Sequence, residues 1–335
     1  MHCFFTVPWK QLNADLTAAD QSWLLNEAAF YLRALGRLDE AREPMRAGLE
    51  AGVALEDWKN AARYAGNVSE LELALGDVAS AVRYAEQSAQ HADRSGDAFL
   101  IMGLRTTHAD ALHQAGRAVK ANERFREAEE MESNQFPTMP LLASLQGFRF
   151  CDLLLAGTER AAWRRALGSD GESFEAQTLA EVEHRAATAL ALARRNYWVL
   201  DTALDNLTLG RVALVRAILG DAPLDSAQPH VEAAVHGLRP DAERLPLALL
   251  TRAWLRAAQD NPAAARADLD EAQQLAERGP MRLHLADVHL HRARLFFRED
   301  RAQAREELKK ARALIERCGY HRRDEELRDA EDAIG

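Results

Sequence analysis

The densest group of side chains able to bind a metal lies in the stretch HLADVHLH, where His284, Asp287 and His291 fall at i, i+3 and i+7. On an α-helix that spacing brings all three to one face, and two imidazoles with a carboxylate are a ligand set for a divalent cation. The spacing is permissive, not specific. An i,i+4 contact between Asp287 and His291 raises the basicity of the imidazole with no metal involved. A solvated helix face is the plainer reading, and no metal or other cofactor is assigned.

Other chemistry has weaker support. Eleven histidines allow Ser-His-Asp triads to be assembled on paper, but no nucleophile elbow, oxyanion motif or HExxH helix is present. Cys151 sits in the apolar run FRFCDLLLAG and reads as a packed thiol. No GxxxxGK[ST] loop cradles a phosphate. The segment GSDGES, Gly168 to Ser173, could hold an anion at the next helix N-terminus. The plainer reading is a loop whose Ser173 caps that helix. The sequence therefore predicts no enzymatic activity.

The elements that would position these residues repeat along the chain. Gly36, Gly76 and Gly116 are each 40 residues apart, and so are Ala41, Ala81 and Ala121. Ahead of each glycine stands a second small residue, at Ala29, Ser69 and Ala109, and the same position recurs as Ala213, Ala253 and Ala293. In WLLNEAAFYLRALG the apolar residues Leu25, Ala28, Ala29, Leu32 and Leu35 follow a helical period. Each frame thus reads as a helix, a glycine turn and a second helix, with the small residues marking where paired helices touch. Gly220 keeps the glycine of the later frames, whereas Asp260 and Asp300 stand at the equivalent ends. Alternating β-branched runs and Asn-Gly hairpins are almost absent, so the expected class is all-α.

The centre departs from the pattern. PLLASLQGFRFCDLLLAG predicts a helix ending at Gly157, followed by a short helix around ERAAWRRAL, the GSDGES loop, and a long alanine-rich helix EAQTLAEVEHRAATALALARR. Phe150 stands where other frames have Ala or Ser, which predicts wider helix spacing there. The expected organisation is residues 1–20 as a remnant of an upstream repeat or N-terminal cap and 21–134 as three regular repeats. Residues 135–196 follow as a divergent repeat with loop 168–173, then 197–318 as three more repeats and 319–335 as a charged C-terminal cap.

Bulk properties restrict the partners. Of 335 residues, 47% are apolar and 28% charged, too apolar for a disordered chain. The formal charge of −10 argues against nucleic acid as a default partner. Cys3, Cys151 and Cys318 form no pairing pattern, which favours a reducing compartment. The start MHCFFTVPWKQ lacks the basic region and apolar length of a signal peptide, and no apolar run reaches the ~18 residues that span a bilayer. The expectation is a cytoplasmic chain with no membrane partner.

The frame NVSELELALGDVASAVRYAEQSA resembles the tetratricopeptide repeat, here with a period of 40 where 34 is usual, over roughly Gln21 to Cys318. The segments DQSWLLNEAAFYLRALGRLDEAREPMRAGL, SLQGFRFCDLLL and LIERCGYHRRDEEL look like the C-terminal repeat arrays of bacterial STAND-type proteins, which carry an NB-ARC or NACHT module upstream. FFTVPWKQLNADLTAAD looks like the tail of an earlier repeat, which reads the chain as a fragment or a shortened homologue. The resemblance implies a right-handed α-solenoid of about seven helix pairs whose inner groove is lined by the first helix of each pair.

Carried onto this sequence, that groove comprises Trp23, Asn26, Phe30, Arg33, Arg63, Glu70, Leu73, Thr106, Asp110, His113 and Gln114. In the later repeats it comprises Leu207, Leu214, Leu250, Trp254, Asp287, Leu290, Arg294 and Arg298. Aromatic and arginine side chains commonly anchor interfaces, which singles out Trp23, Phe30, Arg33, Trp254 and Arg294. For Trp254, packing between helices is an equal reading. The Lys/Asn clamp that grips a C-terminal carboxylate in some tetratricopeptide proteins is not visible. The implied function is a sensor or scaffold that binds a peptide or protein in a bacterial signalling or defence system. The alternative is an array restraining an upstream nucleotide-binding module of a longer homologue.

Overall fold

A computed structural model describes residues 5–7, 11–13, 15–135, 137, 141–168, 176–220 and 222–335. The chain divides into two compact units, Met1–Pro140 with Arg278–Met281, and Leu141–Glu277 with Arg282–Gly335.

In the first unit, strands β1 (Phe5–Val7) and β2 (Gln11–Leu12) pair antiparallel. Within the stretch expected as a repeat remnant or N-terminal cap, the described residues form this hairpin, and Phe5 packs on Leu25 and Ala28. Three helix pairs follow: α1 (Ala18–Ala34) with α2 (Leu38–Ala54), α3 (Trp58–Leu75) with α4 (Val78–Ser95), and α5 (Ala98–Gln114) with α6 (Ala118–Gln135).

The turns explain the period. Gly36 adopts φ +73°, and a Cβ there would meet nothing within 4 Å, so backbone conformation rather than space requires glycine. Asp57, Asp77 and Asp97 cap α3, α4 and α5, each carboxylate accepting from the amide three residues on, at 3.2, 3.0 and 3.1 Å. These caps are 20 residues apart, half the repeat, a signal the 40-residue reading passed over.

The small residues sit at helix crossings. Ala29, Ser69, Ala109, Ala41, Ala81 and Ala121 are all fully buried. Where serine replaces alanine in the first helix, Ser69 Oγ donates to the backbone oxygen of Ala81 at 2.9 Å. The two small-residue series therefore meet each other. Between α2 and α3 the buried carboxylate of Glu72 is held by Arg42 at 3.0 Å and Arg46 at 2.7 Å.

The second unit contains α7 (Ser144–Leu167), α8 (Ala176–Arg195), α9 (Val199–Leu219), α10 (Gln228–Leu238), α11 (Leu245–Ala258), α12 (Pro262–Arg278) up to its last residue, α13 (Arg282–Phe296), α14 (Arg301–Cys318) and α15 (Asp324–Ile334). Short 3-10 turns occur at Leu224–Ser226 and His321–Arg323.

The expected break at Gly157 does not occur: α7 runs through it to a left-handed cap at Gly168, φ +91°. An interior glycine weakens a helix by only ~1 kcal/mol. The buried stripe of Cys151, Leu155, Ala162 and Trp163 continues across it and outweighs that cost. Asp260 does take the left-handed position of a turn glycine, φ +59°. Asp300 does not; it caps α14, accepting from Gln303 N at 2.9 Å. Among the later small positions, Ala253 and Ala293 are fully buried, while Ala213 is partly so.

Among the described residues, α7 contributes to both of the large apolar clusters in this unit's core, and Ala186, Leu190 and Leu209 form a smaller third. Phe148 joins Leu204, Leu207 and Leu249 in one large cluster, and Trp163 joins Leu214 and Trp254 in the other. The all-α helical-repeat class is thus observed, with the short hairpin as its one departure among the described residues.

Ala109→Trp overpacks a crossing and should destabilise the chain by roughly 1–3 kcal/mol. Denaturant unfolding measures this; an unchanged midpoint would place Ala109 away from any crossing.

Candidate functional site

In the first unit the first helices of each pair lie side by side. Asn67 Nδ2 on α3 donates to Asn26 Oδ1 on α1 at 3.2 Å, and Arg33 Nη1 on α1 donates to Glu70 Oε2 on α3 at 3.1 Å. These bonds occupy the stripe of α1 that faces α3. On the next stripe outward, Trp23 and Phe30, seven residues apart, are both 56% exposed. Phe30 is also braced edge-on by Tyr31, ring centroids 6.0 Å apart.

Arg63, forty residues after Trp23, is exposed on α3 and carries no ion pair among the described residues. On α5, Gln114 Nε2 donates to Asp110 Oδ1 at 2.8 Å. The predicted residues Trp23, Phe30, Arg33, Arg63, Glu70, Asp110 and Gln114 therefore share the layer of first helices. Asn26 and His113 are buried in its packing, as are Leu73 and Thr106.

The second unit treats the same register differently. Phe30, Leu214, Trp254 and Arg294 each directly follow a small position, yet only Phe30 is exposed. Trp254 is stacked on Trp163 of α7, centroids 3.8 Å apart. Arg294 lies over the same indole, 4.5 Å from its centroid, with Nη2 2.8 Å from Glu326 Oε2 of α15. Leu207, Leu250 and Leu290 are buried as well. Trp254 thus takes the helix-packing place that was one of its two readings, and Arg294 is corrected from a partner anchor to a core residue, because α7 and α15 already cover that face. Arg298 remains exposed and donates to the Ala166 carbonyl at 3.1 Å, in the last turn of α7.

Ion pairs fasten these covering helices. Asp152 of α7 receives Arg211 at 2.8 Å and Arg322 at 2.9 Å. Arg160 of α7 binds Asp329 at 2.6 Å and also Glu325. Arg323 binds Asp287 at 2.8 Å.

The suggested metal trio belongs to this interior. Asp287 is taken by Arg323 and by the Tyr320 hydroxyl at 3.1 Å. His291 Nδ1 donates to the Asp287 carbonyl at 2.8 Å, and His284 Nε2 bonds the Glu243 carbonyl at 3.0 Å. Asp287 and His291 are buried and His284 half-buried, rather than solvated, and the three side chains serve separate partners. Burial lowers the pKa of His284 and, with Arg294 nearby, takes that of His291 down to about 4.

Burial raises the Cys151 thiol to about 12, which keeps it protonated and un-nucleophilic. Of the GSDGES loop, only Gly168 lies within the described residues.

One charged residue escaped the sequence reading. Asp205 on α9 is 3% exposed, and its Oδ2 has no hydrogen-bond partner among the described residues. Burial, with Asp201 one turn before it, raises its pKa to about 8.

No family model and no curated protein matches the sequence. Among solved structures, the chain is similar to the Rap conjugation gene regulator of the plasmid pLS20 in complex with the Phr* peptide. The TM-score is 0.61 at 13% identity, covering 91% of this chain and 78% of that one. A Rap protein complexed with competence and sporulation factor aligns with a TM-score of 0.41 at 12% identity, covering 96% and 74%. Yeast Tom70 aligns at 0.28 and 11%, covering 90% and 77%. The first likeness is at the level of a shared fold and supports a tetratricopeptide-like helical repeat.

Two titrations follow from the buried groups. His291 stays neutral when folded but binds a proton from pH 6.5 downward when unfolded, so its contribution disappears as pH falls from 6.5 to about 4. In His291→Asn the stability difference between pH 7 and pH 4 should shrink by about 3 kcal/mol relative to wild type. Asp205 has the opposite sign. The folded chain holds its proton up to about pH 8 while the unfolded chain releases it near 3.8, so stability falls as pH rises between those values. Asp205→Asn should therefore stabilise the chain at pH 7 by about 2–4 kcal/mol in denaturant unfolding.

Proposed function

We propose that this chain is a binding module without a reaction centre, and that the layer of first helices in its first unit captures a peptide or protein segment. The exposure of Trp23 and Phe30 carries the reading. Two large aromatic side chains, held on one stripe by a helix fixed on its other faces, are the residue type that most often dominates binding energy. Arg63, exposed at the register of Trp23 on the neighbouring α3, supplies a cation for a carboxylate or acidic side chain of the partner. The helical-repeat regulator of similar fold was solved with a bound peptide, which supports the same mode of use. The second unit then acts as a support, since its corresponding side chains are spent on α7 and α15.

A sensing or scaffolding role in a bacterial signalling system goes with this reading on the strength of the resemblance to STAND-type repeat arrays. The reading assigns the chain no cofactor.

The test is affinity capture from the native host with wild-type chain and with Trp23→Ala/Phe30→Ala, circular dichroism serving as the check on folding. Each truncation should cost about 2 kcal/mol of binding, enough to remove the partner from the eluate. Undiminished recovery of the same partner by the folded double variant refutes the assignment.

A further inference from the structure

The turn joining α8 to α9 is built from residues that its backbone disfavours. The Trp198 amide reaches the Ala193 carbonyl at 3.0 Å and the Tyr197 amide reaches that of Arg194 at 3.4 Å, closing α8 as a glycine-type cap. The left-handed residue is nevertheless Tyr197, φ +57°, where the turn after α4 has Gly96. The residue capping α9 is Trp198, whose side chain makes no capping bond, where that other turn has Asp97. Glycine and aspartate would suit both positions better.

Burial does not offset this cost. Tyr197 is 88% exposed, Trp198 42%, Val199 68% and Leu200 38%. The residues from 194 to 200 are exposed without interruption, a protruding turn with four apolar side chains in sequence.

Its charge is equally one-sided. Arg194 and Arg195 end α8 and carry no ion pair among the described residues. From His184 to Leu200 there is no acidic residue, in a chain where acids outnumber bases 52 to 42. The next carboxylate, Asp201, is partly buried and accepts from Ser144 Oγ at 3.1 Å.

We propose that this turn docks on an anionic lipid surface. Tyr197, Trp198, Val199 and Leu200 enter the headgroup boundary, and Arg194 and Arg195 meet the phosphates. Tyrosine and tryptophan favour that depth, and arginine stems reach from it to the charged layer. A symmetric contact with a second copy would set arginines against arginines. A standard protein interface uses about 20–30 residues a side, whereas a fluid bilayer shapes itself around a short protruding tip. The net charge of −10 does not prevent approach, because charges beyond about 8 Å are screened at physiological ionic strength. No helix among the described residues is long and apolar enough to cross a membrane, so the contact is interfacial.

Sedimentation with phosphatidylcholine vesicles, alone or mixed with phosphatidylglycerol, tests the proposal on the full chain. Wild type should sediment with the mixed vesicles and remain in solution with phosphatidylcholine alone. Removing each arginine, in Arg194→Gln and Arg195→Gln, should weaken binding about fivefold. Tyr197→Gly/Trp198→Asp should abolish it while melting at or above the wild-type temperature, since it restores the favoured turn residues. Wild type left in solution with the mixed vesicles overturns the proposal. So does a double variant that sediments as well as wild type. A concentration-dependent rise in wild-type mass without vesicles, abolished by that double variant, assigns the turn to a protein interface and also overturns it.

Discussion

Two helices can press backbone to backbone only where the side chains between them are almost nothing, and every helix pair of the first unit depends on that restriction. Ser69 makes it visible, because its hydroxyl reaches the backbone oxygen of Ala81 at 2.9 Å, a distance no larger side chain at either position would permit. Ala29 and Ala109 hold the same place in their own pairs and are as fully buried. Once the crossings are fixed, the rest of each first helix has little freedom. One stripe meets the second helix, one meets the next first helix through Asn26–Asn67 and Arg33–Glu70, and one is left open with Trp23 and Phe30 on it.

The second unit keeps the crossings and closes the open face. α7 carries Trp163 between Trp254 and Arg294, and Asp152 between Arg211 and Arg322. Burying so many charges is expensive unless each has a partner, and a buried ion pair roughly breaks even against an apolar contact. The apolar contribution therefore comes from Trp163, Trp254, Leu155 and Leu214, while the ion pairs fix how α7 and α15 lie. Such pairing gives register more than stability. Asp205 shows the cost of omitting it: without a partner for Oδ2, the carboxyl keeps its proton to about pH 8.

Much of the fold was legible because its determinants are local. A left-handed glycine at Gly36 and a small residue at Ala29 act over one turn of chain, so their spacing survives in the sequence. What was not legible depends on partners far along the chain. Gly157 looks like a terminus until the apolar stripe on both sides is seen to be buried against α9 and α11. His284, Asp287 and His291 look like a solvated face until Tyr320 and Arg323 arrive from the C-terminal segment. The exposed run from Tyr197 to Leu200 is too short to stand out from a buried helix start by its hydropathy, and only the fold sets it apart. On the candidate site, the repeat register identified the layer of first helices but not which of its residues remain accessible.

That last distinction is general for stacked helix pairs. Phe30 and Trp254 occupy the same place relative to a crossing alanine, one residue after Ala29 and Ala253, and so leave their helices about 100° round from that crossing. Register determines that direction because it is set by the helical period and by the crossing alone. Register does not determine what lies in that direction, since the occupant is chosen by a helix beginning more than a hundred residues earlier in one case and by none in the other among the described residues. An aromatic side chain at this position is therefore either half the stacking surface of a core, as Trp254 is, or an exposed ring, as Phe30 is. The same energy of burying a large ring from water stands behind both outcomes. In the first unit much of that energy has not been used in folding, because Trp23 and Phe30 stay more than half exposed.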